Sequence, residues 1–520
     1  MLERLKKLLR NLAIYGMGDA ATSVVSLLLL PVYTRFLSPS DYGVIAMLIT
    51  IEAVAKVVFR WGVDTAFMRL YYDCADTAAR QQLASTITIF LLAVNGLLLV
   101  AGAACSSWIS WWLFDTTRYW PLIVLTILNT FVTGFYFIPM HVLRIGEQSG
   151  QFVSLSFGRS AGTLVMRLVL VVWAGMGVLG VVVADIAVTT VFTIVLARWF
   201  APLLRPVFSR AILRDALGFG LPRIPHSLAS QVIGLADKYF LNAYGTLRDV
   251  GLYSIGATFG LAPKLLLSAF EYAWTPFFLG AMRERDVTRT YSVVSTYVMS
   301  LLVPLVATVG AVASDAIRLT TKAQFHAAAV VTPWIALSVM CQGVYILGSI
   351  GIVITKRTRM YPLATGCAAA VGLLANAILV PRYGLMGAAW SNVIAYGTLT
   401  AVTVGVSWRL FPIPYEWGRL GRITLGGFAG YAAATMLISP ATPPIVGLVL
   451  RAVVTIAVYV TVMFATGFFH PGEIRTFKEL GRRVMQRRIV PTPTGGGTRE
   501  QQAEVVEEPA VSDDFPDRIG

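Results

Sequence analysis

The chain has 520 residues, of which 56% are hydrophobic and only 13% charged, with a mean hydropathy of +0.70. An average soluble domain carries about 25% charged residues, so a water-soluble catalytic fold is excluded. The net charge of +15 does not point to a nucleic-acid partner either, because the cations cluster in loops between apolar runs, where they set membrane topology.

The apolar runs are roughly 18 to 25 residues long, enough for a helix to cross about 30 Å of hydrocarbon. They are unbroken rather than alternating, which sets aside a β-barrel. Spans are expected at 11–32, 42–62, 83–104, 120–141, 151–173, 177–197, 217–241, 250–279, 291–314, 326–353, 360–380, 386–408, 423–439 and 445–468. The fold class is an all-α polytopic membrane protein of about fourteen transmembrane helices. The first run follows a basic N-terminus without a small-residue cleavage site, so it is read as a retained span and not a signal peptide. The eighth and tenth runs exceed one span, which predicts tilt, a short interfacial piece, or a kink at Pro263 or Pro276.

With the N-terminus inside, the inner loops before the tail hold twenty Lys and Arg residues. The outer loops hold six: Arg35, Arg118, Arg248, Arg318, Lys322 and Arg382. That asymmetry predicts a cytoplasmic N-terminus, and an even number of spans puts both termini on that side. From Pro471 the chain turns polar, basic and then acidic, which predicts a largely disordered cytoplasmic tail over 471–520. The four cysteines are scattered without metal-ligand spacing, so neither a metal, a disulfide nor another cofactor is expected.

The second and eighth spans align without a gap, Asp41, Gly43 and Lys56 falling on Asp249, Gly251 and Lys264. The duplication implies two parallel six-helix lobes, 1–200 and 211–410, related by an axis along the membrane normal. Two additional helices follow in 420–468.

Ionisable groups inside the bilayer cost at least about 2.5 to 3.5 kcal/mol each and need a partner or a wet cavity. In the second span Glu52, Lys56, Arg60 and Asp64 recur every four residues, with acid preceding base as pairing favours. Arg60 and Asp64 are close enough to the cytoplasmic end to snorkel, whereas Lys56 lies about 22 Å along the helix from Asp41. Lys264 has the matching depth, with Glu271 two turns further on its face. Arg223, His226, Ser230, Gly234 and Asp237 form a polar stripe on the seventh span. Each of these is either a bonded structural residue or part of a site. Arg159 and Arg167, with Asp185, read either as an internal ion pair or as cavity lining. Asp19 reads as a coupling-cation ligand or as a hydrogen-bonded packing residue. Convergence of Lys56, Lys264 and Arg223 would make a cavity that attracts anions, a phosphate or diphosphate headgroup being the membrane-borne choice.

The segments Tyr33-Thr34-Arg35-Phe36-Leu37-Ser38-Pro39-Ser40-Asp41-Tyr42-Gly43, Asp237-Lys238-Tyr239-Phe240-Leu241 leading to Val250-Gly251-Leu252-Tyr253, and Leu379-Val380-Pro381-Arg382-Tyr383-Gly384-Leu385 together resemble the bacterial oligosaccharide flippases. That family of polysaccharide biosynthesis proteins belongs to the superfamily that includes the multidrug and toxic compound extrusion transporters. The resemblance covers about 11–468 and implies two six-helix lobes plus two helices around a V-shaped, cation-lined cavity. The activity it implies is alternating-access transfer of a polyprenyl-diphosphate-linked oligosaccharide to the outer leaflet of the bacterial inner membrane. Membrane lipid, H+ or Na+ as coupling ion, and a polysaccharide polymerase machinery are the associated partners.

No GxxxxGK[ST] loop is present, so intrinsic ATP hydrolysis is not expected. Rival readings are an organic-cation or multidrug antiporter, which would use Glu52, Asp19 and Glu271, and a flippase for the cell-wall precursor lipid. A multi-pass glycosyltransferase or polymerase would need a sizeable outer loop, and the longest here is about fifteen residues around Cys105 to Tyr119. A non-enzyme is therefore expected.

Overall fold

Lipid offers no hydrogen-bond partners to a backbone, so helices that satisfy themselves are one of two ways to cross it. The computed structural model describes residues 30–74, 76–146, 148–281 and 286–468, and these are helical without a strand among them. Asp19, most of the expected first span, Arg283, Arg285 and the tail 471–520 lie outside the described residues.

Residues 30–36 form α1. There follow α2 (Pro39–Arg60), α3 (Val63–Asp73), α4 (Thr77–Ala104), α5 (Ser106–Phe114), α6 (Trp120–Ile145), α7 (Ser149–Leu168) with a π-turn at Val169–Trp173, α8 (Gly177–Phe200) and α9 (Arg210–Gly220). The remainder comprises α10 (Ile224–Tyr244), α11 (Leu247–Gly260), α12 (Lys264–Ala281), α13 (Val287–Thr320), α14 (Thr332–Gly348), α15 (Ile350–Ile354), α16 (Met360–Leu410), α17 (Trp417–Leu437) and α18 (Pro444–Ala465).

Among the described residues nine stretches are long and apolar enough to cross a membrane, or ten if the bent pair α11 and α12 counts as one span. The difference from fourteen has identifiable sources. At 1.5 Å per residue the 51-residue α16 is long enough for two spans, and its helix is interrupted at Gly384 (φ 51°, ψ −124°), the place where the sequence separates 360–380 from 386–408. Glycine is the residue that adopts such a φ without strain. The 21-residue α10 and α17 are not among the nine.

The extra length of the eighth run is taken up by a 53° bend between Gly260 and Lys264, next to Pro263. The tenth run divides into a 3-10 segment, Ala323–Val330, followed by α14 and α15. Regions read from sequence as loop are helical in α3, α5 and most of α9. These helices are short, 11, 9 and 11 residues, at or below the shortest window in which hydropathy periodicity is read.

Helices α2 and α11 begin with the same chemistry. Ser38 caps α2 by accepting from the Asp41 N–H, while Asp41 accepts from the Ser38 N–H. Thr246 and Asp249 repeat the arrangement in α11, and each box satisfies otherwise orphaned backbone donors. The two helices then pack reciprocally. A Cβ on Gly43 would overlap the Leu247 carbonyl oxygen, and one on Gly251 would overlap the Pro39 carbonyl oxygen. Offset by 208 positions, the two contacts are each other's image, as a duplicated unit requires. Beneath them a continuous apolar core includes Val44, Met47, Val250, Tyr253 and Ile335.

Candidate functional site

Helix α10 has three polar or apolar cavities around it, and Gln231 lines all three. The first, about 360 Å3, lies between α2, the head of α3 and the start of α10, and receives Lys56, Arg60 and Arg223 together with Glu52 and Asp64. The four-residue spacing places Glu52, Lys56 and Arg60 on one face of α2. Lys56 Nζ contacts Glu52 Oε1 at 2.7 Å, and Arg60 Nη1 lies 3.5 Å from Asp64 Oδ2. Both cations remain open to the cavity, with side-chain exposures of 38% and 42%. An ammonium has three donors, and Glu52 occupies one of those on Lys56.

Arg223 reaches this cavity because it does not belong to α10. It ends the 3-10 turn Leu221–Arg223 that precedes the helix, and its guanidinium sits 5.8 Å from the Phe219 ring centre. The expected single stripe on the seventh span is thereby divided. His226, Ser230, Gly234 and Asp237 face a second cavity of about 430 Å3, which also takes Lys238 and Lys264. Lys264 therefore does not converge with Lys56 in one cavity. The physical reason is the bend before α12: Lys56 sits within an unbroken helix, whereas Lys264 is the first residue after the break.

In the second cavity Asp237 is 4% exposed and is fully engaged. It accepts from the Tyr253 hydroxyl, from Asn392 Nδ2 at 3.3 Å and from the Lys238 N–H at 2.8 Å. His226 Nδ1 is 3.0 Å from Thr365 Oγ1, a tie to α16. Glu271 is on the exposed side of α12, beyond the lining residues.

Behind Glu52 a small cavity of about 30 Å3 is lined by Asn129, Arg167 and Asp185. Arg167 donates to both oxygens of Asp185, at 2.7 and 2.6 Å, the paired fork that planar guanidinium favours. Arg159 is elsewhere: it donates to Thr189 Oγ1 at 3.2 Å and lies 4.9 Å from the Tyr136 ring centre. It is not among the residues lining these cavities.

The third cavity, about 780 Å3, occupies the opposite face of α2. Its walls include Val54, Ala55 and Val58 of α2, Leu98 of α4, Trp112 of α5 and Leu235 of α10.

Sequence reasoning did not find Asn392 or Gln231 and met Tyr253 only as part of a resembling segment; all three are ordinary uncharged residues until a fold brings them to Asp237 or to the meeting of cavities. It also passed over a buried ion pair, Arg451 to Asp315 at 2.7 Å, with side chains 7% and 1% exposed. Arg451 donates further to the Ile438 and Ser439 carbonyls at 3.2 and 3.4 Å, clamping α18 and the end of α17 to α13. Its signal in the sequence is a lone arginine interrupting the apolar run of the fourteenth span.

The fold is shared with solved transporters. The chain is similar to the lipid II flippase MurJ in an inward closed conformation, with 13% identity, a TM-score of 0.72, and coverage of 86% of this chain and 98% of that one. An inward-facing multidrug resistance transporter of the MATE family matches at 13% identity and a TM-score of 0.59, over 78% and 96% of the two chains. In sequence, Lsg locus putative protein 1 of Haemophilus influenzae is 20% identical over 288 residues, which is 54% of this chain and 68% of that protein. These likenesses, with the apolar spans, make this a multi-pass membrane protein of transporter fold. A model of the polysaccharide biosynthesis protein family matches residues 32–330, more than half of the length, and the chain belongs to that family.

Proposed function

We propose that this protein carries a polyprenyl-diphosphate-linked oligosaccharide from the inner to the outer leaflet of a bacterial cytoplasmic membrane by alternating access, and is not an enzyme. The observation that carries the reading is the first cavity, where three cations, Lys56 and Arg60 of α2 and Arg223 of the turn before α10, lie with two carboxylates, Glu52 and Asp64. Such a site attracts a multivalent anion, and low-dielectric walls strengthen the attraction. The family membership and the flippase-like fold support the same direction.

In this reading the diphosphate lies against Lys56, Arg60 and Arg223. Lys264 and Lys238 line the neighbouring cavity, on the route that the sugar follows as the two six-helix lobes rock. Both termini are cytoplasmic, and the exported unit is handed to a polymerase machinery. Coupling to H+ or Na+ is assigned to Asp237, the buried carboxylate of the second cavity.

The same buried carboxylate favours one second reading, an organic-cation antiporter, since a fixed anion in a cavity also suits a cationic solute. Proteoliposomes separate the two. Transfer of a labelled polyprenyl-diphosphate oligosaccharide by the wild type, reduced about tenfold or more in Lys56→Ala and Arg223→Ala, a loss near 1.4 kcal/mol, supports the flippase. No transfer by the wild type, with proton-driven efflux of an organic cation instead, overturns it.

A further inference from the structure

We infer that the apolar cavity between α2 and α10 is the seat of the carrier's prenyl chain, so that headgroup and tail are held on opposite faces of α2. The inference rests on the flippase reading above and specifies where that substrate's hydrocarbon goes.

The geometry begins with α2. At 100° per residue, Glu52, Lys56 and Arg60 occupy one face, and Val54, Ala55 and Val58 turn toward the other. The first group lines the cationic cavity and the second lines the apolar one. From the turn before α10 onward the succession is lengthwise: Arg223 and Ser227 line the cationic cavity, and Leu235, Ala236 and Tyr239 line the apolar one. Gln231 borders both. An amphiphile with an anionic head and a long tail thus meets, in order along α10, its counter-charges, one neutral amide and a hydrocarbon wall.

Most of the wall is hydrocarbon side chain. Thr50, its hydroxyl on α2, is already committed to the Ala46 carbonyl at 2.9 Å. Two stacked rings, Trp112 and Tyr239, with centres 5.2 Å apart, form part of its lining. The volume of about 780 Å3 exceeds that of either polar cavity. Burial of hydrocarbon there is worth roughly 25 cal/mol per Å2 only against water. From lipid the gain is in packing and position, so the seat orients the chain and does not extract it.

Bulk phospholipid is the rival occupant. A polyprenyl diphosphate carrying a photoreactive group in its isoprenoid chain, irradiated with the full-length protein in proteoliposomes, is expected to label α2 and α10 at Ala55, Val58 or Leu235. Excess unlabelled polyprenyl diphosphate abolishes that labelling, and an equal excess of phosphatidylglycerol does not. Ala55→Trp and Val58→Trp, which fill the cavity, are expected to raise the Kd for a long-chain substrate about tenfold while leaving a two-isoprene analogue unchanged, a selectivity near 1.4 kcal/mol. Labelling competed equally by phospholipid, or equal loss for both chain lengths, overturns the seat while wild-type transfer stands. Absence of wild-type transfer together with absence of competable labelling overturns the flippase reading as well.

Discussion

Gly43 and Gly251 are related by a reciprocal contact, each lying against a backbone carbonyl at the start of the other's helix, that of Leu247 for the first and Pro39 for the second. Neither glycine is needed for its φ. Each is needed because a side chain would stand where the opposing carbonyl is, and the contact holds the beginnings of the duplicated α2 and α11 together.

Gly43→Ala and Gly251→Ala are each expected to force the helices apart, at a cost of about 1–3 kcal/mol as overpacking generally does. Thermal unfolding in detergent and the transfer rate measure this. Gly96→Ala, at a helical glycine with nothing within 4 Å, is the control and is expected to leave both unchanged. Wild-type stability in both test variants would falsify the close contact.

Breaking the Asp315–Arg451 pair gives the largest stability effect expected outside the apolar core. Arg451→Met leaves a buried carboxylate uncompensated, at about 3–5 kcal/mol. Joint replacement with Asp315→Leu is expected to restore most of the loss, because two apolar side chains need no counter-charge. Tm values of the single and double variants decide it: a double variant no more stable than the single one contradicts the pair.

Glu52→Gln separates attraction from neutralisation in the cationic cavity. Glu52 holds Lys56 at 2.7 Å, so removing its charge raises the positive potential facing an incoming anion. The variant is expected to bind inorganic pyrophosphate more tightly by about threefold to tenfold and to show a steeper salt dependence, read by calorimetry at two ionic strengths. Unaltered or weaker binding counts against Lys56 as the anion's contact.

Asp237→Asn tests the coupling role. The amide keeps the size of the carboxylate and its hydrogen-bonding neighbours Tyr253 and Asn392. The expected outcome is a folded protein whose transfer no longer responds to an imposed H+ or Na+ gradient, with downhill exchange retained. A full gradient response in this variant removes Asp237 from coupling.

The membrane class was legible because bilayer thickness sets a minimum run of apolar residues, and the break near Gly384 because Pro381 and Gly384 punctuate the run. The cationic stripe of α2 was legible for the same kind of reason, since its members are one turn apart on one helix. What was not legible depended on contacts between helices. Lys264 aligns with Lys56 in sequence, yet the bend ahead of it takes it to another cavity. Arg223 shares spacing with His226, yet the 3-10 turn aims it away. Asp315 and Arg451 are 136 residues apart, and no local rule pairs them.

The unequal breaks in the duplicated helices carry one more consequence. Helix α2 continues to Arg60 before it breaks at Trp61 and Gly62, whereas α11 stops at Gly260, about two turns earlier in the aligned register. Likeness at the glycine contact thus gives way to unlikeness at the other end. The same lysine register therefore serves two different surroundings, Lys56 inside a continuous helix and Lys264 just past a break. A kinship that is close at one end of the two helices has become a division of labour at the other, each lysine lining its own cavity.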